Sequence, residues 1–533
     1  MANQDLDNQP EDELLDEESV EGQTQDDESE VKKAVPAWII SIVVHLVVLG
    51  LMSLIVAATT EVFEEPPIKT TSLPPPPKVE EKKLERDIKQ TDMPLDVEVE
   101  SDKPSPVSNL DVPVEEFLSE EESDAEKPKG REEATVDSEM GGEGAFMAIG
   151  AGGGSSGMFG SRSGGGKKRA LGRFGGSKGS ESAVDAALRW FKKHQSPNGM
   201  WDIDGYPANC TEAPKCEPGT EHTDEGGDVA GTGYAILCFL GAGFDHRMPS
   251  KYKATVKKGI DWLVSVQKPD GIFPGVNYSQ GIATMALAEA YAMSNDPALK
   301  GPAQKGIDII LARQTKDSKG GYGLGWDYVA PNPARNDGSV SGWCVMALKS
   351  AAAGGLNVGG GMEGAKQYLE RAWKDTNKDF KAKDPYTDIS MFPYHWDSVA
   401  GANVGHTNLA PVGALLAVFL GHKADDPMLN SLANFIMKNQ FPAKYPCNTY
   451  YMYYNTLAIF QIAGERWEKW NKTCRDMLTG SQRKGDGCFD GSWDFEGTEF
   501  PGHKAGRILS TAYCCLSLEV YYRYPLVAGQ VKH

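Results

Sequence analysis

The chain has 533 residues and a formal net charge of −21. Up to about residue 180, apart from a single apolar stretch, the sequence is charged, proline-rich or glycine-rich, and such sequence buries too little apolar surface to offset chain entropy. The composition therefore predicts one large folded domain at the C-terminus, and the acidic balance argues against nucleic acid as a partner.

The first predicted element is an apolar stretch, residues 37–58, without a formally charged side chain. It is long enough to span about 30 Å of hydrocarbon as a helix. Lys32 and Lys33 precede it, and acidic residues beginning with Glu61 follow it. By the positive-inside rule, the acidic and disordered tail, residues 1–36, is expected in the cytoplasm. The C-terminal domain is then expected in the periplasm, with the lipid bilayer as a partner of the anchor.

Two polar side chains interrupt the apolar stretch. Ser41 and His45 lie four residues apart and so share one face of a helix. An ionisable group inside a membrane helix points to function. Together with the proline-rich run at residues 66–77, this pair resembles the N-terminal anchor of TonB-type energy transducers. The resemblance implies docking on a proton-driven motor complex in the inner membrane. The alternative is a plain anchor whose polar pair bonds to backbone or partner helices.

A long linker is predicted over residues 59–180. Its composition passes from proline-rich to charged and then to glycine- and serine-rich, and none of the three favours a packed core. As a coil it would reach about 60 Å, which would let the C-terminal domain search away from the membrane.

Internal repeats organise the C-terminal domain, residues 181–533. The complete unit has an amphipathic outer helix, a glutamine, a glycine turn followed by an aromatic residue, and an inner helix rich in alanine and leucine. This pattern is strong in units one, two and six and weak in units four and five. In the first unit these are Gln195, Gly199 and Trp201. The predicted outer helices are residues 182–194, 256–266, 303–312, 362–373, 429–439 and 467–479. The predicted inner helices are residues 230–240, 282–293, 340–352, 408–420, 450–462 and 509–521.

The spacing of Gln195, Gly199 and Trp201 resembles the glutamine/tryptophan repeat of squalene cyclases and of the β subunits of protein prenyltransferases. The resemblance implies an all-α fold, an (α/α)6 toroid of six helical hairpins with a central cavity. The same fold carries unrelated functions, so the activity must be argued from the site.

The residues that give those two families their chemistry are not matched. Triterpene cyclases use Asp-x-Asp-Asp, whereas here Asp202 and Asp204 are followed by a glycine. Prenyltransferases bind zinc through a histidine and an Asp-x-Cys pair, and Ser510 and two tyrosines, Tyr451 and Tyr453, stand near those positions. We therefore expect no terpene cyclisation, no zinc-dependent prenyl transfer, no cofactor and no metal in the cavity.

The candidate ligand-binding residues are polar and aromatic side chains at the starts of inner helices. In this fold those ends converge on one mouth of the cavity, and helix N-termini favour anionic or hydroxyl-bearing ligands. The predicted set is His222, Asp224, Trp343, His406, Asn408, Tyr453, Asn455, Ser510 and Tyr513, with Ser339 and Tyr450 beside them. The alternative for each residue is packing or helix capping.

Three loops also carry aromatic residues next to carboxylates, a combination suited to sugar stacking or to acid–base work on glycans. These are Trp326-Asp327, His395-Trp396-Asp397 and Trp493-Asp494. The alternative is that they pack within their loops.

All nine cysteines lie in the C-terminal domain. Cys210 and Cys216 share a polar loop with His222, where a local disulfide, a metal site and free thiols all stay open. The others in apolar helical runs are predicted to be buried small hydrophobes: Cys238, Cys344, Cys514 and Cys515.

The leading functional interpretation is a membrane-anchored protein of the cell envelope. Its toroid would bind a hydrophobic, glycan or peptide ligand without catalysis. The alternatives are an enzyme that acts on lipid or polysaccharide in the cavity, and a protein coupled to a proton-driven motor.

Overall fold

A computed structural model describes the chain over residues 159–381, 383–384, 387–497 and 505–526. Within those ranges, no helix combines the length and apolar character that crossing a bilayer requires. The predicted membrane segment, residues 37–58, lies outside the described residues together with Ser41 and His45.

The six predicted helical hairpins are confirmed, with ends that differ by a few residues from the predictions. The outer helices are α2 (Lys178–His194), α4 (Lys253–Val266), α6 (Pro297–Ala312), α8 (Gly361–Thr376), α10 (Pro427–Asn439) and α12 (Gly464–Ser481). The inner helices are α3 (Glu225–Gly241), α5 (Asn277–Ser294), α7 (Gly338–Ala353), α9 (Ala410–Phe419), α11 (Thr449–Ile462) and α13 (Arg507–Leu518). A helix α1 (Gly164–Phe174) precedes the hairpins and α14 (Val520–Arg523) follows them.

The inner helices form a closed ring. Each packs against the inner helix of the next unit, and α13 returns to α3. Their side chains are buried on nearly every face, whereas the outer helices bury one stripe. One hairpin alone would leave its inner helix in water, and only the closed ring of six buries it. The architecture is therefore an (α/α)6 toroid.

Repeat glutamines tie four of the six units to the unit that follows. The Gln195 amide Nε2 donates to the Gly199 carbonyl at 2.8 Å and to the Thr255 carbonyl of α4 at 2.9 Å. Gln482, in the last unit, donates in the same way to the Ala183 carbonyl of α2 at 2.8 Å. The final glutamine thus closes the ring by bonding back to the first outer helix.

The repeat tryptophans cover the ends of the outer helices. Trp201 is fully buried and its indole donates to the Phe191 carbonyl at 2.8 Å. Trp326 and Trp493 are buried in the same way and donate to carbonyls in the last turns of α6 and α12. Those carbonyls lie in the last turn of each helix, where backbone donors run out, so the indoles supply a hydrogen bond there.

The folded domain begins earlier than residue 181, where its boundary was predicted. Residues 159–180 include α1, and Arg162 is fully buried in an ion pair with Glu289 of α5 at 2.7 Å. The glycine-rich composition of this segment predicted a linker, because its contacts are made by a few residues such as Arg162 and Phe174 rather than by an apolar run.

A small antiparallel sheet departs from the all-α prediction. It is formed by β1 (Asn336–Asp337), β2 (Pro393–Asp397) and β3 (Ala402–Asn408), in the order β1-β2-β3. The sheet lies in the loops of units three and four, and it places Asp337 opposite His395.

Candidate functional site

Aromatic side chains from the inner helices fill the centre of the ring. Trp343 of α7 stacks on Tyr453 of α11, with ring centroids 6.0 Å apart and an interplanar angle of 12°. The hydroxyls of Tyr234 and Tyr513 lie 2.8 Å apart. All four side chains are buried. At this level the ring therefore has an aromatic core where the family resemblance implied a cavity.

Several polar atoms in this core lack a partner. The indole Nε1 of Trp343, the hydroxyl of Tyr453 and both amide atoms of Asn455 are buried without a hydrogen bond among the residues described. An unsatisfied buried group costs about 1–3 kcal/mol. Such groups mark positions for ordered water or for polar groups of a ligand. Three predicted site residues, Trp343, Tyr453 and Tyr513, thus meet in one place, although it is deeper than the predicted mouth.

A wall of tyrosines lies at the mouth. The rings of Tyr278 and Tyr328 stack with centroids 6.3 Å apart and an interplanar angle of 22°. The hydroxyls of Tyr328 and Tyr394 lie 3.0 Å apart, and the Arg335 guanidinium sits 5.0 Å from the Tyr328 centroid. All four side chains are only partly buried. Part of each of these side chains is therefore accessible from solvent.

Two carboxylates flank Arg335 next to this wall. Asp337 caps α7: its Oδ1 accepts the Val340 N–H at 3.0 Å and the Ser339 hydroxyl at 2.5 Å. Its Oδ2 lies 3.3 Å from Arg335, which also pairs with Asp327. Burial raises the pKa of Asp337, despite the hydrogen bonds and the arginine that oppose the shift.

The wall continues into the aromatic core. The Tyr278 phenol lies beside Ser339 and Tyr450, and the Tyr450 ring meets Tyr513 edge to face at 6.1 Å between centroids. Tyr513, a predicted site residue, is therefore linked to the mouth through Tyr450. The wall and the two carboxylates flanking Arg335 are called the mouth site below.

Two predicted site residues lie apart from this assembly. His222 is exposed in its loop with a φ of 59°. Asp224 is exposed at the start of α3, where its side chain accepts the Gly227 N–H at 2.9 Å as a helix cap. An acidic residue directly before a helix is explained by capping alone.

Other predicted residues are engaged in structure. The Asn408 side chain accepts the Ala410 N–H at 2.9 Å at the start of α9. Ser510 is fully buried and donates to the Trp493 carbonyl at 2.7 Å. His406 is on β3, and its side chain is not among those described.

The aromatic–acid loops divide into two kinds. Trp326, Trp396 and Trp493 are buried packing residues, so their indoles are not exposed for sugar stacking. Asp327 and His395 lie near Arg335 at the mouth, where burial lowers the pKa of His395.

Four residues of the mouth site were not predicted from the sequence: Tyr278, Tyr328, Tyr394 and Arg335. The sequence signal that could have found them is a group of three charged residues, Asp327, Arg335 and Asp337, shortly before inner helix α7.

An acidic cluster occupies the place of the incomplete cyclase motif. Carboxylate oxygens of Asp202, Asp204 and Asp228 lie within 4.8 Å of one another. Asp202 accepts the Gly205 N–H at 2.5 Å in a turn, and Asp228 accepts the Ile203 N–H at 3.0 Å. Burial raises the pKa of Asp228 to about 6. The motif region is thus a capped turn outside the aromatic core.

The cysteines in apolar helical runs are buried, as predicted. Cys210 and Cys216, for which a disulfide, a metal site and free thiols stayed open, are not joined by a disulfide in this structure. The histidine beside them is His194 at the end of α2, and not the exposed His222.

No family model matches the chain. A stretch of 189 residues is 26% identical to a squalene–hopene cyclase of Bradyrhizobium diazoefficiens, covering 33% of this chain and 27% of the relative. The chain thus spans only about a quarter of the length of that curated relative, and the likeness agrees with the glutamine/tryptophan repeat.

Solved structures of glycan-related enzymes resemble the fold at low identity. An α-1,6-mannanase variant of Salegentibacter sp., in complex with α-1,6-mannotetrose, shares 12% identity, with a TM-score of 0.43 over 65% of this chain and 99% of that one. A cellobiose 2-epimerase of Spirochaeta thermophila shares 13% identity, with a TM-score of 0.46 over 67% and 98%. A D-mannose isomerase shares 12% identity, with a TM-score of 0.46 over 65% and 98%.

Proposed function

We propose that the toroid binds a carbohydrate at the mouth site. The observation that carries this proposal is the partly exposed tyrosine wall placed directly beside hydrogen-bonding charged groups. Sugar rings present apolar C–H faces that pack on aromatic rings, and their hydroxyls bond to carboxylates and guanidinium groups. Tyr328 and Tyr394 supply the first kind of contact, and Asp327 and Arg335 supply the second.

The charge balance of the mouth site favours a neutral sugar. Arg335 is shared between Asp327 and Asp337, so its positive charge is already balanced by two carboxylates. A uronic acid or a phosphate placed beside Arg335 would meet both carboxylates, which repel a third negative group. The proposed ligand is therefore a neutral, hydroxyl-rich oligosaccharide.

A second candidate function is processing of that glycan. It is favoured by the two carboxylates that flank Arg335, with the pKa of Asp337 raised by burial, because glycoside chemistry uses a pair of carboxyl groups of which one donates a proton. Asp337 is the candidate proton donor of this pair.

Binding would be tested on the full chain with neutral oligosaccharides of mannose and of glucose, next to uronic acid oligomers. Tyr328→Ala and Tyr394→Ala should each weaken binding of the neutral ligand at least about tenfold, since each removes a stacking face. Tyr322→Ala is the matched control, because Tyr322 is 53% exposed in the turn after α6, outside the mouth site. Equal affinity in all variants, or preference for the acidic oligomers, would refute the proposal.

Catalysis would be tested separately from binding. If the protein processes the glycan, Asp337→Asn should abolish release of reducing ends while the oligosaccharide still binds. If wild type binds the oligosaccharide but does not cleave it, the binding proposal stands and the enzymatic one is refuted.

We further propose that residues 37–58 anchor the toroid in a membrane, with the toroid on the extracytoplasmic side. The apolar length and the lysines at 32 and 33 support this. Coupling to a proton-driven motor through Ser41 and His45 is the finer proposal, and it rests on the resemblance of that pair to the transducer anchors.

A further inference from the structure

A cluster of cysteine and histidine side chains lies where the first and last units of the ring meet. His194 ends α2, Cys210 and Cys216 follow in the loop of the first unit, and Cys488 belongs to a single 3-10 turn of the sixth unit. All four side chains are buried. They lie away from the mouth site and have no role in the proposed function.

The donor atoms are spaced for tetrahedral coordination. His194 Nε2 lies 3.4 Å from the Cys210 sulfur and 3.6 Å from the Cys216 sulfur. In a zinc tetrahedron, with Zn–S near 2.3 Å and Zn–N near 2.0 Å, donor atoms are separated by roughly 3.5–3.8 Å. The Cys210 thiol also interacts with both the Cys216 and the Cys488 thiols.

The histidine is fixed in the tautomer that a metal needs. Its Nδ1 lies 2.8 Å from the Trp190 carbonyl oxygen. A carbonyl can only accept, so Nδ1 carries the proton and Nε2 turns its lone pair toward the sulfurs. The Trp190 ring stacks on the imidazole with centroids 4.4 Å apart and holds its orientation. A backbone carbonyl on the second ring nitrogen is the usual support for a zinc-binding histidine.

Backbone N–H groups point at the sulfurs. The Cys216 N–H donates to the Cys210 sulfur at 3.3 Å, and the Glu212 N–H donates to the Cys488 sulfur at 3.3 Å. Such donors stabilise thiolates more than neutral thiols. The loop is held against the sixth unit because the Cys488 N–H bonds to the Pro214 carbonyl at 3.2 Å.

We propose that His194, Cys210, Cys216 and Cys488 form a structural zinc site that closes the ring. Four protein ligands leave no open position, so the ion would stabilise the fold and take no part in a reaction. Cys488, whose thiol interacts with that of Cys210, would supply the fourth donor. The ion would link the first unit to the sixth, at the seam that Gln482 also bridges.

A disulfide between two of the three cysteines is the competing outcome, because thiols this close can oxidise in an extracytoplasmic compartment. The zinc site and the disulfide differ in the number of cysteines that can be alkylated. Zinc leaves all nine cysteines free to alkylate after denaturation with a chelator, whereas a disulfide removes two of them.

The test uses the full chain purified without chelator. Elemental analysis should give about one zinc ion per chain, and replacement by Co²⁺ should give the intense visible bands of tetrahedral thiolate coordination. Removal of the ion with a chelator should lower Tm, and added zinc should restore it. These measurements on wild type decide the matter even where a variant fails to fold.

Variants then assign the ligands. Cys210→Ser, Cys216→Ser, Cys488→Ser and His194→Ala should each lose stoichiometric zinc. His222→Ala, in the same loop, and Cys447→Ser, in a different unit, are the matched controls and should keep it. Three results would overturn the proposal: wild type without zinc, a disulfide between any two of the cluster cysteines, or zinc retained in all four ligand variants.

Discussion

Arg162 Nη1 donates to Glu289 Oε2 at 2.7 Å, and both side chains are fully buried although Arg162 precedes the first hairpin. Arg523, at the opposite end of the domain, reaches Oε1 of the same carboxylate at 3.3 Å. Burial alone would raise the pKa of Glu289, but the two arginines outweigh it and the pKa is lowered. One carboxylate on α5 therefore holds both termini of the folded domain.

The first prediction concerns this pair. Arg162→Met should lower the free energy of unfolding by about 3–5 kcal/mol, because it leaves Glu289 buried with one partner fewer. Urea unfolding of the domain from residue 159 would measure it. Lys168→Met, at an exposed position of α1, should stay within about 0.5 kcal/mol of wild type. A loss below about 1 kcal/mol in the Arg162 variant would mean that residues 159–180 do not contribute to the fold.

The second prediction concerns ring closure by the repeat glutamines. Gln482→Leu should destabilise the domain by about 1–3 kcal/mol, because buried carbonyls in the first and last units lose their donor. Gln440 is the internal control, since the only described hydrogen bond of its side chain is long, 3.4 Å to the Asn408 carbonyl, and its Oε1 has no partner among the described residues. Gln440→Leu should cost less than Gln482→Leu, and the reverse order by thermal or urea unfolding would contradict the bridging role.

The third prediction concerns the repeat tryptophan. Trp201→Ala should cost about 3–5 kcal/mol, since it removes a fully buried ring. Trp201→Phe keeps most of the packing but removes the donor to the Phe191 carbonyl, so its cost should be smaller. Equal stability of wild type and Trp201→Ala in urea unfolding would show that the indole does not support the end of α2.

The fourth prediction concerns pH. Burial raises the pKa of Asp228 from 3.8 to about 6. The stability that its protonated form contributes is thus present below about pH 4 and is lost as pH rises through about 6. Asp228→Asn keeps an oxygen for the Ile203 N–H but cannot ionise. The free energy of unfolding of the variant should therefore rise relative to that of wild type between pH 4 and 7, by at most about 1–2 kcal/mol after solvent screening. If the free energies of unfolding of the variant and of wild type change in parallel with pH over that range, the pKa of Asp228 is not raised in the folded protein.

The fifth prediction concerns topology. With the chain expressed in a Gram-negative host, protease added to spheroplasts should cut the linker and release a compact fragment that begins near residue 159. A fragment that begins near residue 181 would contradict the packing of α1. Full protection of the C-terminal domain in intact spheroplasts would contradict its extracytoplasmic placement.

The sequence predicted the six hairpins because their signal is local and repeated. Helical spacing of apolar residues, a glutamine and a glycine turn recur in most units, and each repeat reinforces the reading of the others. It also predicted the burial of the cysteines in helical runs. The start of the domain was misjudged, since Arg162 acts through contacts with Glu289 and with the Leu240 and Arg523 carbonyls, all distant in sequence.

The sites were decided by tertiary structure. Tyr278, Tyr328 and Tyr394 come from different loops and helices, and only closure of the ring and pairing of β1 with β2 bring them to one mouth. The sequence by itself determined the units, because a helix is specified by contacts three and four residues apart. It could not determine that Cys488 meets Cys210, because they are 278 residues apart and become neighbours only when the sixth unit packs against the first.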